Sequence, residues 1–162
     1  MVETSGTKPS TKPGKDTILI VEDDRGIATL ERRRLERAGY AVVCATSAKE
    51  GLGYIEQGGV KLVLLDQGLP DITGLEFYER LKAGGYDLPV IMVTGLSDEA
   101  TVVEALRAGV SDFVTKSPEY LDYLPKAVER VVAQARLERR LEESEEKYRS
   151  IFENAVEGIY QA

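Results

Sequence analysis

The sequence predicts a doubly wound α/β domain: a five-stranded parallel sheet with helices on both faces. Three observations lead there. Five short runs of consecutive Val, Ile and Leu recur between residues 17 and 116, as strands buried on both faces require. Amphipathic segments that open on capping residues and close on glycine separate them. A chain of 162 residues is long enough for one packed core and too short for two ordinary ones.

The strands are read at Ile18 to Val21, Ala41 to Cys44, Leu62 to Leu65, Pro89 to Val93 and Val110 to Val114. Asp24 is expected to cap a first helix bearing Ile27, Leu30 and Leu35 that stops at Gly39. Ser47 to Glu50 reads as a capping box opening a second helix that ends at Gly58-Gly59. A third runs from about Leu75 to Ala83. Ser97 caps a fourth carrying Val102, Val103 and Leu106 before Gly109. The fifth begins near Leu124, with Asp122 or Tyr123 as cap and Pro125 in its first turn. Strand-then-helix units with right-handed crossovers build the doubly wound sheet.

Outside this body the chain changes character. Residues 1–16 are rich in Ser, Thr, Pro, Gly and Lys and read as a disordered arm. Charges from Arg136 to Arg149 balance, five basic against five acidic, and Glu143/Lys147 and Glu145/Arg149 are favourably ordered one turn apart. Leu124, Val128, Val131 and Ala135 form a stripe suited to the sheet. Leu137, Leu141, Tyr148, Ile151 and Ala155, with Ser144 in one slot, form an offset heptad stripe that needs another partner. A connecting helix over 133–155, paired as a parallel homodimer, is the expectation.

Composition removes several functions. Net charge is −7, without the basic excess of a nucleic-acid binder, so no direct nucleic-acid contact is expected. There is no histidine, which excludes His acid/base catalysis, His-ligated metal and a phosphohistidine centre on this chain. The single cysteine, Cys44, cannot form an internal disulfide and reads as a small core residue. No apolar run approaches a membrane span, and no secretion signal opens the chain, so a cytoplasmic location is expected.

In a doubly wound domain, ligands sit beyond the carboxyl ends of the strands. Strand one ends in Glu22-Asp23-Asp24, strand three in Asp66, strand four in Thr94-Gly95, and strand five leads through Thr115 to Lys116. Taken singly these read as caps, a turn residue, a strand-end hydroxyl and a surface amine. Together, at the same ends of four strands, they read as one site. Clustered carboxylates repel unless neutralised, and hard oxygen ligands without His or Cys point to Mg²⁺.

These motifs resemble the receiver domains of two-component response regulators across 17–132. Ile-Leu-Ile-Val-Glu22-Asp23-Asp24 is similar to the family's acidic opening, and Leu-Val-Leu-Leu-Asp66-Gln-Gly-Leu-Pro70-Asp-Ile-Thr-Gly74 to its phosphoacceptor strand and loop. Pro-Val-Ile-Met-Val-Thr94-Gly resembles its hydroxyl strand, and Ala-Gly-Val-Ser-Asp-Phe113-Val-Thr-Lys116 its lysine strand. The resemblance implies a flavodoxin-like strand order 2-1-3-4-5 and a phosphoacceptor Asp66 served by a partner histidine kinase or histidine phosphotransfer protein. It implies Mg²⁺ held by Asp23, Asp66 and the backbone carbonyl of Gly68, with Glu22 acting through water. Lys116 would stabilise the phosphoryl oxygens, while Thr94 and Phe113 would switch the surface over helix four, strand five and helix five. Such a domain is no enzyme beyond its own phosphorylation and dephosphorylation. Arg32, Arg33, Arg34 and Arg37 would lie on the helix that docks the phosphodonor, or form a solvated face.

Two departures stand out. Ser117 separates Lys116 from Pro118, where the family's lysine runs directly into proline, leaving the Lys116-Ser117 bond geometry open. Leu96 and Gly68 flank the water approach and should tune hydrolysis. Residues 146–162 resemble the opening of a PAS sensor domain, which implies an output region beyond and leaves Ile159-Tyr160 without order. An aspartate phosphatase of the haloacid dehalogenase type would need an acid where Gly68 stands, and a nucleotide-binding loop would not read Glu22-Asp23-Asp24. The alternative reading is a phosphorylation-independent receiver-like dimerisation and interaction module.

Overall fold

The computed structural model describes residues 17–95 and 99–161, with side chains through Val156. In chain order the elements are β1 (Thr17–Val21), α1 (Arg25–Arg37), β2 (Ala41–Ala45), α2 (Ala48–Gln57) and β3 (Val60–Asp66). They continue with α3 (Gly74–Ala83), β4 (Val90–Thr94), α4 (Glu99–Ala108), β5 (Asp112–Thr115) and α5 (Tyr120–Gln161). All strand pairs are parallel, in the order β2-β1-β3-β4-β5, the flavodoxin-like sheet.

Strand alternation divides the core into two layers. Leu19, Val21, Val63, Leu65 and Met92 point toward α2, α3 and α4, meeting Ile55, Phe77, Leu81 and Ala105. Ile18, Ile20, Leu62, Leu64, Ile91 and Val93 point the other way, onto Ala28 and Leu35 of α1 and Leu124, Val128 and Val131 of α5. Both faces of β1 and β3 are therefore dry over Ile18 to Val21 and Leu62 to Leu65, which is why those runs are apolar at every position.

The element ends differ in places from the expected ones. α5 begins at Tyr120, four residues before Leu124, because the Tyr120 and Asp122 amides donate to Ser117 and Glu119 and wind an extra turn. Pro125 consequently lies past the first turn, where its missing N–H removes the helical bond to the Leu121 carbonyl. Ser47 caps α2 as expected, but Glu50 reaches back to the amide and hydroxyl of Thr46, so that box is displaced by one residue. The complete capping box is Thr73 with Glu76 on α3. Leu30, Val103 and Leu106, expected on apolar faces, are about half exposed, and the buried faces run through Ala28, Glu31 and Leu35 on α1 and Ala105 on α4. Ile159 and Tyr160 continue the helix. The arm at 1–16, Leu96 and the Ser97 cap lie outside the described residues.

One glycine is required by close approach. A Cβ on Gly74 would stand 2.5 Å from the Asp66 carbonyl oxygen, whereas one on Gly53, inside α2, would meet nothing within 4 Å. Gly74→Ala should therefore lower stability by about 1–3 kcal/mol as the β3-α3 loop shifts. Gly53→Ala should raise it by about 0.5–1 kcal/mol through helix propensity. Urea unfolding of the two variants against the parent checks both signs.

Candidate functional site

The strand order brings the carboxyl ends of β1 and β3 side by side, with β5 separated from β3 only by β4. Glu22 and Asp23 follow directly on β1, and Asp66 closes β3. One carboxylate oxygen from each of Glu22, Asp23 and Asp66 falls within 4.8 Å of the others, a spacing that one cation can bridge. Asp23 is exposed while Glu22 and Asp66 are buried, so the cluster opens to solvent on one side.

Lys116 reaches over from the end of β5. Its Nζ lies 2.9 Å from Glu22 Oε1 and 2.9 Å from Asp66 Oδ1. Backbone pairing aims it there, since its amide donates to the Thr94 carbonyl at 2.9 Å. Burial raises the Glu22 pKa; the Lys116 contact opposes this and Asp66 adds to it. Burial alone would lower the Lys116 pKa, but its bonds to Glu22 and Asp66 prevail and keep it charged.

The Lys116-Ser117 peptide is trans. The Ser117 amide donates to the Thr115 carbonyl at 2.7 Å, a bond that proline at this position would delete. The β3-α3 loop is tied down too. The Gly68 amide donates to Asp66 Oδ2 at 3.0 Å, the Gly74 amide to the Gln67 carbonyl at 3.0 Å, and the Leu75 amide to Gln67 Oε1 at 2.9 Å. Asp71 receives the first amides of α2 from Ala48 and Lys49, and these donors outweigh its slight burial and hold its pKa down.

Thr94 sits at the end of β4, 1% exposed, and its Oγ1 has no hydrogen-bond partner among the described residues. An orphaned buried hydroxyl carries a desolvation cost that a ligand oxygen would remove. Phe113 pairs with Met92 across the sheet, half-buried, and lines a cleft with Thr115, Ser117 and Tyr123. Arg34 pairs with Asp122 of α5 and Arg32 with Glu36 at 3.8 Å, so two of the four arginines clustered at 32–37 serve their own domain. Cys44 is half-buried against the α1/α5 layer.

Glu31 and Tyr120 have no signature in the sequence that ties them to this site. Glu31 is 1% exposed on the inner face of α1 and accepts a hydrogen bond from the Tyr120 hydroxyl at 2.9 Å. Burial, reinforced by Glu22 and Asp66, raises its pKa from 4.5 to about 7, with Tyr120 and Lys116 pulling the other way. Burial and Glu31 together keep the Tyr120 phenol protonated. The spacing Ala28-Glu31-Leu35 was the available signal, but a charged residue inside Glu-Arg-Arg-Arg reads as surface.

The chain belongs to the response regulator receiver domain family, whose model matches residues 18–129. It is 39% identical over 112 residues to the uncharacterized transcriptional regulatory protein YkoG of Bacillus subtilis, covering 69% of this chain and 49% of that protein. It is 34% identical over 113 residues to the alkaline phosphatase synthesis transcriptional regulatory protein PhoP of the same organism, covering 68% and 47%. The chain thus spans about half the length of these curated relatives. A CheY-like response regulator receiver domain from Methanospirillum hungatei superposes with a TM-score of 0.66 at 36% identity, over 75% of this chain and 97% of that one. The domain is therefore a signalling domain of a two-component system. Receiver domains bind Mg²⁺ at an acidic site, and Glu22, Asp23 and Asp66 supply an all-oxygen donor set that fits it.

Two outcomes follow. Protonated Glu31 contributes stability that is complete below pH 4.5 and lost as pH rises through about 7. Tm in metal-free buffer should fall between pH 5 and 8.5, and Glu31→Gln should flatten most of that slope. Thr94→Val, which replaces an unpartnered hydroxyl by a methyl of similar shape, should raise stability by about 1 kcal/mol in denaturant unfolding.

Proposed function

We propose that this chain is the phosphoacceptor receiver of a two-component signalling protein, taking a phosphoryl group onto Asp66 from a phosphohistidine on a partner kinase or phosphotransfer protein. The observation that carries the reading is Lys116 Nζ at 2.9 Å from both Asp66 and Glu22, beside three carboxylates gathered within 4.8 Å. A structural lysine would need one partner; here one ammonium contacts two carboxylates of a group of three, a charge balance that a cation would complete.

An Asp66 carboxylate oxygen attacks phosphorus in line. The new O–P bond forms as the P–N bond to the donor imidazole breaks, and the imidazole keeps the electron pair. Asp23, Asp66 and the Gly68 carbonyl, with Glu22 behind them, would hold Mg²⁺, which when bound offsets charge on the transferring oxygens. Lys116 exchanges its contact with Asp66 for a phosphoryl oxygen. Thr94 Oγ1, buried without a partner, gains one in the same oxygen set, and Phe113 follows into the space that Thr94 vacates. The product is an acyl phosphate that water cleaves, so the signal decays. Gly68 and Leu96 tune that decay.

The altered surface over α4, β5 and α5 is then read through the C-terminal helix. In this reading the helix forms a homodimer and leads to a PAS or other output region that starts at 146–162. Val103, Leu106 and Tyr123, each nearly half exposed, lie on the elements that would change. Transfer takes place in the cytoplasm, without direct nucleic-acid contact by this domain. Among the described residues, no helix is long and apolar enough to cross a membrane.

Acetyl phosphate with Mg²⁺ should add one phosphoryl group to the intact mass, and chelator or Asp66→Asn should abolish the gain. Thr94→Val should keep the phosphorylation but lose the accompanying change in the tyrosine and phenylalanine signals. A chain that gains no mass, binds no beryllium fluoride and remains a dimer would instead be a phosphorylation-independent interaction module.

A further inference from the structure

Beyond Ala135 the helix leaves the domain, yet it does not become uniformly polar. Leu137, Leu141, Tyr148, Ile151 and Phe152 are 60–75% exposed, on a stretch of helix whose apolar side chains stay open to solvent among the described residues. A solvated helix gains nothing from a row of large apolar side chains, and a patch of this kind marks an interface. Leu137, Leu141, Ser144, Tyr148, Ile151 and Ala155 follow alternating steps of four and three, so they occupy the d and a positions of successive heptads.

The direction of this row matters. At about 100° per residue it lies roughly 150° around the helix from the stripe Leu124, Val128, Val131 and Ala135, whose first three residues are buried against the sheet. A partner can therefore sit on the seam without displacing any core contact of the receiver. Upstream, the same alternating steps pass through Gln134, Arg130, Ala127 and Tyr123, and Ala127 is buried in the core of its own domain. Arg130 is bonded to Asp112 and to the Tyr123 hydroxyl of its own domain, and Gln134 is polar and exposed. The apolar part of the seam is thus confined to 137–155.

The flanking charges identify the occupant. The e positions beside the seam carry Glu138, Glu145 and Phe152, and the g positions carry Arg140, Lys147 and Asn154, so the charged flanking residues divide into acidic e and basic g. In a parallel in-register pair of identical helices, each g residue faces the e residue five positions on in its partner, which matches Arg140 with Glu145. In an antiparallel pair g faces g and e faces e, setting Arg against Lys and Glu against Glu. The acidic/basic division thus favours a second copy of this chain, in one orientation.

Resting on the homodimer reading above, we infer that residues 137–155 form a parallel, in-register two-stranded coiled coil. Leu137, Leu141, Tyr148 and Ile151 build its seam, and Arg140-Glu145 pairs between the chains fix its direction. Both receivers then sit at the same end of the coil, each docked on the outward side of its own helix. A rotation imposed on α5 at either phosphorylation site would pass into the shared coil.

Sedimentation equilibrium of the full chain should give a dimer. Arg140→Glu and Glu145→Arg should each weaken it about tenfold, and the double variant should restore it, because the cross-chain pair is re-formed with reversed charges. In a Cys44→Ala background, Ser144→Cys should form an interchain disulfide on mild oxidation, since identical d positions meet only in this register, while outward-facing Ser150→Cys should not. A monomer at all concentrations would overturn both the homodimer reading and this inference. A dimer without the Ser144→Cys disulfide or without charge-swap rescue would overturn this inference alone.

Discussion

The structure depends on a concentration of negative charge at one end of a parallel sheet. Glu22 and Asp66 are buried, Asp23 stands beside them, and one ammonium, Lys116, answers them. Low-dielectric surroundings make such an imbalance expensive unless a cation joins the site. That constraint explains why the donors are all oxygen and why the cluster opens toward water at Asp23. It explains equally why a lysine must come from a strand two places away. The order β2-β1-β3-β4-β5 is the arrangement that meets these demands, because it sets β1 beside β3 and leaves β5 within a lysine's reach.

Holding the charges in place falls to backbone contacts more than to other side chains. Gly74 lets α3 start against the Asp66 carbonyl, and Gln67 secures the same turn with its carbonyl and its side-chain oxygen. Asp71 closes the loop onto α2. At the opposite side, the trans Lys116-Ser117 turn uses an N–H that proline lacks, so the departure from the family pattern has a geometric counterpart rather than leaving a gap. Thr94 is the exception. Its buried hydroxyl has no partner among the described residues, and a polar group left in that condition is a reserve of binding energy for an incoming oxygen.

From this site two connections run to α5. The Tyr120 hydroxyl binds Glu31 beneath the cluster, and Asp122 binds Arg34 on the surface of α1. Glu31 feels the charges of Glu22, Asp66 and Lys116, so its protonation is linked to the occupancy of the site without belonging to it. The helix that receives these contacts has two faces in succession, one committed to the sheet and one left open beyond Ala135. The proposed signalling route uses both faces, one fixed to the domain that holds the charges and one turned away from it.

Much of this was legible in the sequence, since parallel strands buried on both faces must be continuously apolar and the residues that interrupt them stand out. Five strands, their order once the family resemblance was drawn, and Asp66, Glu22, Asp23, Thr94 and Lys116 could all be located in that way. Helix boundaries were less certain where backbone bonds outside the regular pattern decided them, as with the extra turn at Tyr120 and the shifted Glu50 cap. Exposure of Leu30, Val103 and Leu106 and burial of Glu31 were decided only by the tertiary structure. Periodicity gives a helix its faces, but which face meets the sheet depends on how the helix is rotated against it, and that is fixed by packing of the whole core. A carboxyl can be buried when a tyrosine 89 positions away supplies its hydrogen bond, and no local pattern announces such a partner.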